Sequence, residues 1–248
     1  MKLNLSNRNL TSLDGIPLPD GLKELDVSGN RWLTSLPPLP PTLTMLDCGY
    51  NDLTSLPPLP PSLTALYCQS NRLSSLPPLP PTLVLLYCHC NQLTNLPPLP
   101  SSVTVLSCYS NQLDSLPPLS MIGWLYCHCN QLTSLQSLPP RLDALYCQAN
   151  RLTKLPPLPP SLTKLYCFSN QLPDHYYCDD GQKPINELRI IIRMDRWREG
   201  LSIVSRLMAE RAARNIQRVW KRYWLEPYHD AQMGYPVSRY LLHYQHEL

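Results

Sequence analysis

Ten cysteines occur in this chain of 248 residues, and their spacing could support disulfide, metal or thiolate chemistry. Neighbouring members of a regular cysteine ladder would lie close enough for disulfides. In a reducing compartment, however, a buried thiol stays protonated and packs as a small hydrophobic group. We therefore predict reduced, inward-facing thiols without catalytic chemistry for the seven cysteines that each stand three residues before an asparagine: Cys48, Cys68, Cys88, Cys108, Cys127, Cys147 and Cys167.

The triplet Cys-His-Cys occurs twice, at residues 88–90 and 127–129, and these residue types are those that bind zinc. Successive side chains of a strand point to opposite faces, so Cys88 and His89 diverge, whereas tetrahedral zinc needs converging ligands. The two histidines also stand two repeats apart, about 9.6 Å if the repeats stack as neighbouring strands. We predict no metal site and no cofactor.

A third set of residues has the chemistry of a recognition surface. Stacked rings on neighbouring strands would stabilise a sheet by about 0.2–1 kcal/mol per pair, which is a purely structural interpretation. Rigid tyrosines are also enriched at interfaces, because they offer a large contact area at low entropic cost. Charge is sparse around them, which favours a protein partner over nucleic acid. The predicted binding residues are Tyr67, Tyr87, Tyr126, Tyr146 and Tyr166, with His89, Tyr109, His128 and Phe168 two positions after the same place in their repeats.

All these residues belong to one repeat of about twenty residues, which is the period of the shortest leucine-rich repeats. Asparagines mark it at positions 30, 51, 71, 91, 111, 130, 150 and 170. The unit around Asn71 has Leu63, Leu66, Cys68 and Leu73 at the leucine-rich spacing, with cysteine in one leucine place. The spacing predicts an α+β solenoid with a parallel β-sheet on its concave face.

Each unit combines a short strand with a proline-rich return. Residues 73–83 read LSSLPPLPPTL, and four prolines exclude a helix because they fix φ and remove four N–H donors. This predicts a polyproline II-like convex side, with the asparagine amide bonded to buried backbone groups of the turn. Two irregularities are expected: fraying of the first unit, which has Arg8 in place of asparagine, and a kink or bulge near Gly123 and Trp124.

Composition excludes several classes of protein. Hydrophobic residues make up 43% of the chain, which excludes global disorder, and a net charge of +3 does not indicate a nucleic-acid binder. No apolar run reaches the length of a membrane helix, and residues 1–13 lack the apolar core of a signal peptide. We expect a cytoplasmic protein.

The composition changes near residue 183, so we predict a solenoid over residues 1–182 and a helical C-terminal cap segment over residues 183–248. The first part has a net charge of −2 and the second +5. Apolar residues recur at helical spacing from Leu201 to Tyr223, and repeat arrays need a cap over their last turn. The alternatives are a calmodulin-type site at residues 211–224, with Trp220 and Trp224, or contact with an anionic membrane surface.

The unit with its return LPPLPPSL resembles the bacterial-type leucine-rich repeat of secreted virulence effectors, the YopM and IpaH group, over residues 1–172. This resemblance implies a curved protein-binding scaffold. The strand cysteines and the tail ERAARNIQRVWKRYW are also similar to leucine-rich repeat proteins of large DNA viruses. Either resemblance implies action in a host cytoplasm.

Members of the IpaH group carry a C-terminal ubiquitin-ligase domain with a Cys-x-Asp motif, which only Cys178, Asp179 and Asp180 match here. The tail is far shorter than that domain, and the neighbouring carboxylates would raise the pKa of the thiol. We therefore predict a non-enzymatic protein-interaction module without catalytic residues. A ubiquitin ligase that uses Cys178 is the alternative hypothesis.

Overall fold

The computed structural model of the chain describes residues 1–178, 181–182 and 184–210. Its main feature is one parallel sheet in which nine three-residue strands follow each other in chain order. These strands are β1 (Lys2–Asn4), β2 (Glu24–Asp26), β3 (Met45–Asp47), β4 (Ala65–Tyr67), β5 (Leu85–Tyr87), β6 (Val105–Ser107), β7 (Trp124–Tyr126), β8 (Ala144–Tyr146) and β9 (Lys164–Tyr166). The predicted leucine-rich repeat solenoid is confirmed.

The register of the sheet is uniform. The middle residue of every strand is a leucine, and it pairs with the middle leucine of the next strand, as Leu66 does with Leu86. From β2 to β9 these leucines are buried, while the first and third residues of each strand point to the opposite face. One face of the sheet therefore packs in the core. The other face carries the first and third residues of the strands, most of which are at least partly exposed.

The seven ladder cysteines lie in this core, and all are reduced. Burial raises the pKa of every one of them, for example that of Cys88 to about 12. The prediction of inward-facing cysteines is confirmed. A raised pKa favours the protonated thiol, which is a poor nucleophile at neutral pH.

The asparagines join each turn to the one before it. The Oδ1 atom of Asn91 accepts a hydrogen bond from Leu73 N–H at 2.9 Å. Its Nδ2 atom donates to the carbonyls of Cys68 at 3.0 Å and Cys88 at 3.1 Å. One side chain thus satisfies three backbone groups in two turns, as the sequence predicts.

The returns contain neither helix nor strand, in agreement with their prolines. A second series of hydrogen bonds, the hydroxyl ladder, runs along the returns. The repeat pattern did not reveal it. The hydroxyl of Ser62 reaches the carbonyls of Pro41 and Leu43 in the preceding turn, at 2.8 and 2.7 Å. Thr82, Ser102 and Ser161 repeat this arrangement in their own turns.

Neither expected irregularity disturbs the strand pairing. Strand β1 is in regular register with β2, and Asn30 bonds to the first turn as the later asparagines bond to theirs, with Oδ1 accepting from Leu10 N–H and Nδ2 donating to the carbonyl of Leu5. Trp124 pairs in register with Val105 and with Ala144, so β7 has no bulge. The chain bends at Gly123, directly before β7, and the shorter unit is absorbed in its return. Strand pairing on both sides holds the register, and Met121 stands in this return where Ser62, Thr82 and Ser102 stand in theirs, so the hydroxyl ladder has no hydroxyl here.

After β9 the chain forms a 3-10 helix (Asp174–Tyr176), the strands β10 (Tyr177–Cys178) and β11 (Gly181–Gln182), and the helix α1 (Ile185–Glu210). Tyr176, Leu188 and Ile192 are buried and extend the core beyond the last repeat. A helical C-terminal cap is thereby observed. The chain divides into compact units 1–193 and 194–248, so the first turns of α1 share a unit with the repeats.

At the end of the hydroxyl ladder, Arg189 takes the place of the serine or threonine that a further repeat would supply. Its Nη2 atom donates to the carbonyls of Pro160 at 3.2 Å and Leu162 at 3.1 Å, and also to that of Pro159. Pro160 and Leu162 are the two carbonyls that a further serine or threonine would bind, by analogy with Ser161 and its partners Pro140 and Leu142. The cap therefore satisfies polar groups as well as covering apolar ones.

We predict that Asn91→Ala lowers the free energy of unfolding by about 1–3 kcal/mol, because it leaves backbone groups of two turns unpaired. Equilibrium unfolding in urea measures the change. Gln92→Ala is the matched control, since Gln92 is exposed and follows Asn91 directly. Equal stability of the two variants would contradict the bridging role.

We predict that Arg189→Ala destabilises the last turns by about 1–3 kcal/mol, because charge-assisted bonds to three carbonyls are lost. Amide hydrogen exchange should show the loss of protection first in β8 and β9. Arg193→Ala, an exposed arginine one turn further along α1, should leave exchange unchanged. If amide exchange in β8 and β9 is unchanged in both variants, the cap stabilises the last turns through apolar contacts alone.

Candidate functional site

The sheet face, defined as the side of the nine-stranded sheet turned away from the core, consists of three parallel columns. The first residues of the strands form column one, and the third residues form column two. Column three stands two residues further along, where backbone N–H groups keep each turn bonded to the next, as Ser70 N donates to His89 O. Column two reads Asn4, Asp26, Asp47, Tyr67, Tyr87, Ser107, Tyr126, Tyr146 and Tyr166, and column three Ser6, Ser28, Gly49, Gln69, His89, Tyr109, His128, Gln148 and Phe168.

The tyrosines of column two form two stacks. Tyr67 and Tyr87 have ring centroids 5.0 Å apart, with 22° between the ring planes. On the other side of Ser107, the centroid distances are 4.7 Å from Tyr126 to Tyr146 and 4.8 Å from Tyr146 to Tyr166. Parallel strands fix these distances, because their spacing of about 4.8 Å is also a favourable ring-stacking distance.

Column three continues the aromatic surface where column two is interrupted. Tyr109 lies between two imidazoles, with centroids 4.2 Å from His89 and 4.3 Å from His128, and the rings are nearly parallel. Ser107 is the residue that interrupts column two, and its hydroxyl oxygen is 3.0 Å from His89 Nδ1. An edge contact between Tyr87 and His89 links the two columns. The aromatic surface is therefore continuous from Tyr67 to His128.

Burial shapes the electrostatics of this surface. It lowers the pKa of His89, to which His128 adds, and it lowers the pKa of His128. Burial also raises the pKa of Tyr67, Tyr109 and Tyr126. At neutral pH these five side chains are therefore uncharged.

The structure brings eight of the nine predicted binding residues into ring stacks on one face. Phe168 lies at the end of the same face, 44% exposed. Trp124 is a further aromatic residue of this face that was not among the predicted binding residues; it is 49% exposed in column one, two residues before Tyr126. Strand alternation was the signal that could have identified it. Whether these residues bind a partner stays a prediction.

The first turns of the sheet face are acidic. Asp26 and Asp47 are in-register neighbours in column two. Burial raises the pKa of Asp47, the hydrogen bond from Gly49 N–H lowers it, and the nearby Asp26 raises it further. The aromatic surface thus ends at a pair of carboxylates.

Other candidate chemistry has little support in the described part of the chain. Cys90 and Cys129 are exposed free thiols, but no group of three or more His, Cys, Asp or Glu residues among the described residues could hold a metal ion. None of the helices in the described ranges combines the length and hydropathy of a membrane span. The side chain of Cys178, residues 179–180 and the calmodulin-type segment 211–224 lie outside what the structure describes.

We predict that the stability of the protein falls as the pH is lowered through and below about 6.5, the unperturbed histidine pKa. The pKa values of His89 and His128 are lowered in the fold, so the unfolded chain takes up these protons first and is favoured at acidic pH. Urea midpoints at about pH 7.5 and about pH 5.5 measure the effect.

Glutamine is the matched replacement, since Gln69 and Gln148 occupy the same column in neighbouring turns. The double variant His89→Gln/His128→Gln should lose part of the pH dependence. His175→Gln, at an exposed histidine outside the sheet, should not. A pH dependence that is the same in all three proteins would contradict the assignment.

No protein-family model matches the chain, and no curated protein is significantly similar to it. Several solved structures, in contrast, are significantly similar to it. YopM from Yersinia enterocolitica WA-314 is 41% identical, with a TM-score of 0.61 over 62% of this chain and 34% of its own. The leucine-rich repeat domain of a Shigella effector is 30% identical, with a TM-score of 0.55 over 70% of this chain and 71% of its own.

The functional domain of InlJ from Listeria monocytogenes, which includes a cysteine ladder, is 32% identical, with a TM-score of 0.62 over 69% of this chain and 40% of its own. This chain therefore spans about a third of that YopM chain and 40% of the InlJ functional domain. Together with the repeat and the uniform parallel sheet, these similarities show that the chain belongs to the leucine-rich repeat proteins, with the repeat type of bacterial effectors such as YopM.

Proposed function

We propose that this chain is a non-enzymatic protein-interaction module that binds a protein partner on its sheet face, the concave side of the solenoid. The observation that carries the proposal is the solvent-facing aromatic surface of columns two and three, which combines the linked rings from Tyr67 to His128 with the stack from Tyr126 to Tyr166. Its binding residues are those named from the sequence, with Trp124 added.

Stacking makes this surface rigid before any partner arrives. Tyr146 has a ring on each side, at 4.7 and 4.8 Å, so its rotamer is restricted in the free protein. Binding through restricted side chains loses little conformational entropy, which is why preorganised aromatic residues contribute strongly to affinity.

A purely structural role does not explain the exposed members of the surface. Trp124, Tyr166 and Phe168 are each 44–49% exposed, so much of their apolar area remains in water. Stacking would stabilise the sheet equally well with smaller exposed area. A contiguous exposed aromatic patch is typical of an interaction site.

The charge pattern favours a protein over a polyanion. From β4 to β8, none of the three columns contains a Lys, Arg, Asp or Glu residue. A nucleic-acid surface would need several basic side chains to neutralise phosphates. An uncharged aromatic centre is instead the composition of a protein–protein interface core.

The enzymatic alternative has no support in the described residues. The ladder thiols are buried and protonated, and the ubiquitin-ligase hypothesis rests on Cys178, whose side chain is not described. Similarity to secreted effectors supports action in a host cytoplasm as a further part of the proposal. The resemblance to viral proteins stays a prediction.

We predict that Tyr87→Ala and Tyr146→Ala each weaken partner binding about tenfold or more, because buried interface aromatics are typical hot spots. Quantitative affinity capture from host-cell cytoplasm, followed by titration of the captured partner, measures the loss. The urea midpoint of each variant is measured in parallel, since a lost ring stack accounts for only about 0.2–1 kcal/mol of stability.

Trp32→Ala is the matched control for these variants. Trp32 is 55% exposed but lies outside the three columns, beneath the guanidinium of Arg31. A partner that is lost from both tyrosine variants and retained by the Trp32 variant supports the proposal. A partner retained by folded tyrosine variants would contradict it.

A further inference from the structure

We propose that the partner inserts an arginine side chain at the acidic end of the sheet face, between the carboxylates of Asp26 and Asp47 and the open ring face of Tyr67. This inference rests on the proposed function and specifies the chemistry of the partner. The occupant is an extended segment with an arginine at one end and apolar or aromatic residues after it.

The three side chains are consecutive members of column two. Asp26 pairs in register with Asp47, and Asp47 with Tyr67, so neighbouring backbones are about 4.8 Å apart. Tyr67 is the first ring of its stack: one ring face packs on Tyr87, no ring of the described residues stacks on the other, and Asp47 is its neighbour on that side of column two. A planar cation inserted there would contact an aromatic face and a carboxylate at once.

The carboxylates retain hydrogen-bonding capacity for such a cation. Asp47 Oδ1 accepts from Gly49 N–H at 3.1 Å, and its Oδ2 atom has no hydrogen-bond partner among the described residues. Asp26 accepts through Oδ1 from Ser28 N–H at 3.0 Å and from the Ser28 hydroxyl at 2.7 Å, and through Oδ2 from Asn4 Nδ2 at 3.2 Å. These bonds hold the carboxylates in place without neutralising their charge.

Within the described residues, no cation neutralises the pair. The ion pairs found there join Lys2 with Glu24 and Arg72 with Asp52. Like charges on directly opposed strand positions are destabilising, so the free protein holds two carboxylates that a cation would stabilise.

Arginine fits this place better than lysine. Its guanidinium is planar, stacks on aromatic faces and binds a carboxylate through two parallel bonds, whereas an ammonium group lacks this planar, two-pronged geometry. Gly49 leaves the neighbouring place in column three without a side chain, and a Cβ atom there would meet Gln69 Nε2 at 2.5 Å. The Oε1 atom of this same Gln69 is buried and without a partner in the described structure, so a further acceptor lies near the site.

The charge at the opposite end of the sheet face determines the direction in which the segment binds. Column one ends at Lys164 in β9, which is exposed and would repel an arginine. Between the ends the face is uncharged. The segment is therefore expected to place its arginine at β2–β4 and its apolar residues over Tyr87, Tyr126 and Tyr146.

A selection from random peptides tests the inference, because it reads out directly which residues the sheet face prefers. Peptides of about twelve residues, which span roughly 40 Å when extended, are displayed and selected on the full chain. The same library is selected on Asp26→Asn/Asp47→Asn, which removes both charges and keeps the size of the side chains and one accepting oxygen in each. Asp52→Asn, which removes an acidic group already paired with Arg72, is the matched control.

We expect wild-type and Asp52→Asn selections to enrich peptides with one arginine at a fixed distance from an aromatic residue. Selection on the double variant should keep the aromatic residue and lose the arginine. Replacing that arginine by citrulline, which is planar but neutral, should weaken binding to the wild type about tenfold and leave binding to the double variant unchanged.

The outcomes separate this inference from the proposed function. Aromatic peptides without arginine, whose binding needs Tyr146, would overturn the arginine site and leave the interaction surface standing. Equal affinity of the arginine and citrulline peptides would do the same. Failure to select any peptide whose binding depends on Tyr146 would count against both.

Discussion

The structure depends on one constraint, which is that every turn must satisfy its buried backbone polar groups. A three-residue strand has two neighbouring strands for its N–H and C=O groups. The turn after it bonds to the next turn through only some of its backbone groups, such as Ser70 N–H to His89 O, and leaves carbonyls such as that of Cys68 to the asparagines. Asn91 and its equivalents meet this need with an amide that donates to two carbonyls and accepts from one N–H. Because those groups belong to two turns, each asparagine also locks the register of its neighbours, and the solenoid follows.

The prolines of the returns belong to the same solution. Each proline removes an N–H donor, so a proline-rich return has carbonyls to satisfy but few donors. The hydroxyl of Ser62, Thr82 or Ser102 then supplies one donor for two carbonyls of the preceding turn. Arg189 does the same at the last turn, where no further repeat follows. An extended return with few donors is thus compatible with a repeat as short as twenty residues.

Regular repetition explains which parts of the structure could be predicted. The strands, the inward cysteines and the asparagine bonds follow from residues that recur in every turn, such as Cys88 and Asn91. The hydroxyl ladder recurs too, but Ser and Thr are common in turns, so their recurrence alone does not indicate these hydrogen bonds. The register at Trp124 and the cap bond of Arg189 depend on neighbouring strands and on a distant segment, which no local pattern reveals. Of the candidate site, the nine residues were placed on one face, whereas the role of Ser107 beside His89 required three-dimensional contacts.

The position of the aromatic residues in the sheet also explains how the protein exposes apolar surface without an aggregation-prone edge strand. Parallel sheets invite further strands at their two open edges, which here are β1 and β9. Lys2 in β1 and Lys164 in β9 place charges on those edges, and Lys2 is held by Glu24 at 3.3 Å. The rings lie in the inner turns, from Tyr67 onward, and reach β9 only at Tyr166 and Phe168, next to the cap. Aromatic residues are therefore concentrated where the sheet is already paired on both sides, so a partner can contact their ring faces, but another strand cannot pair with their backbone.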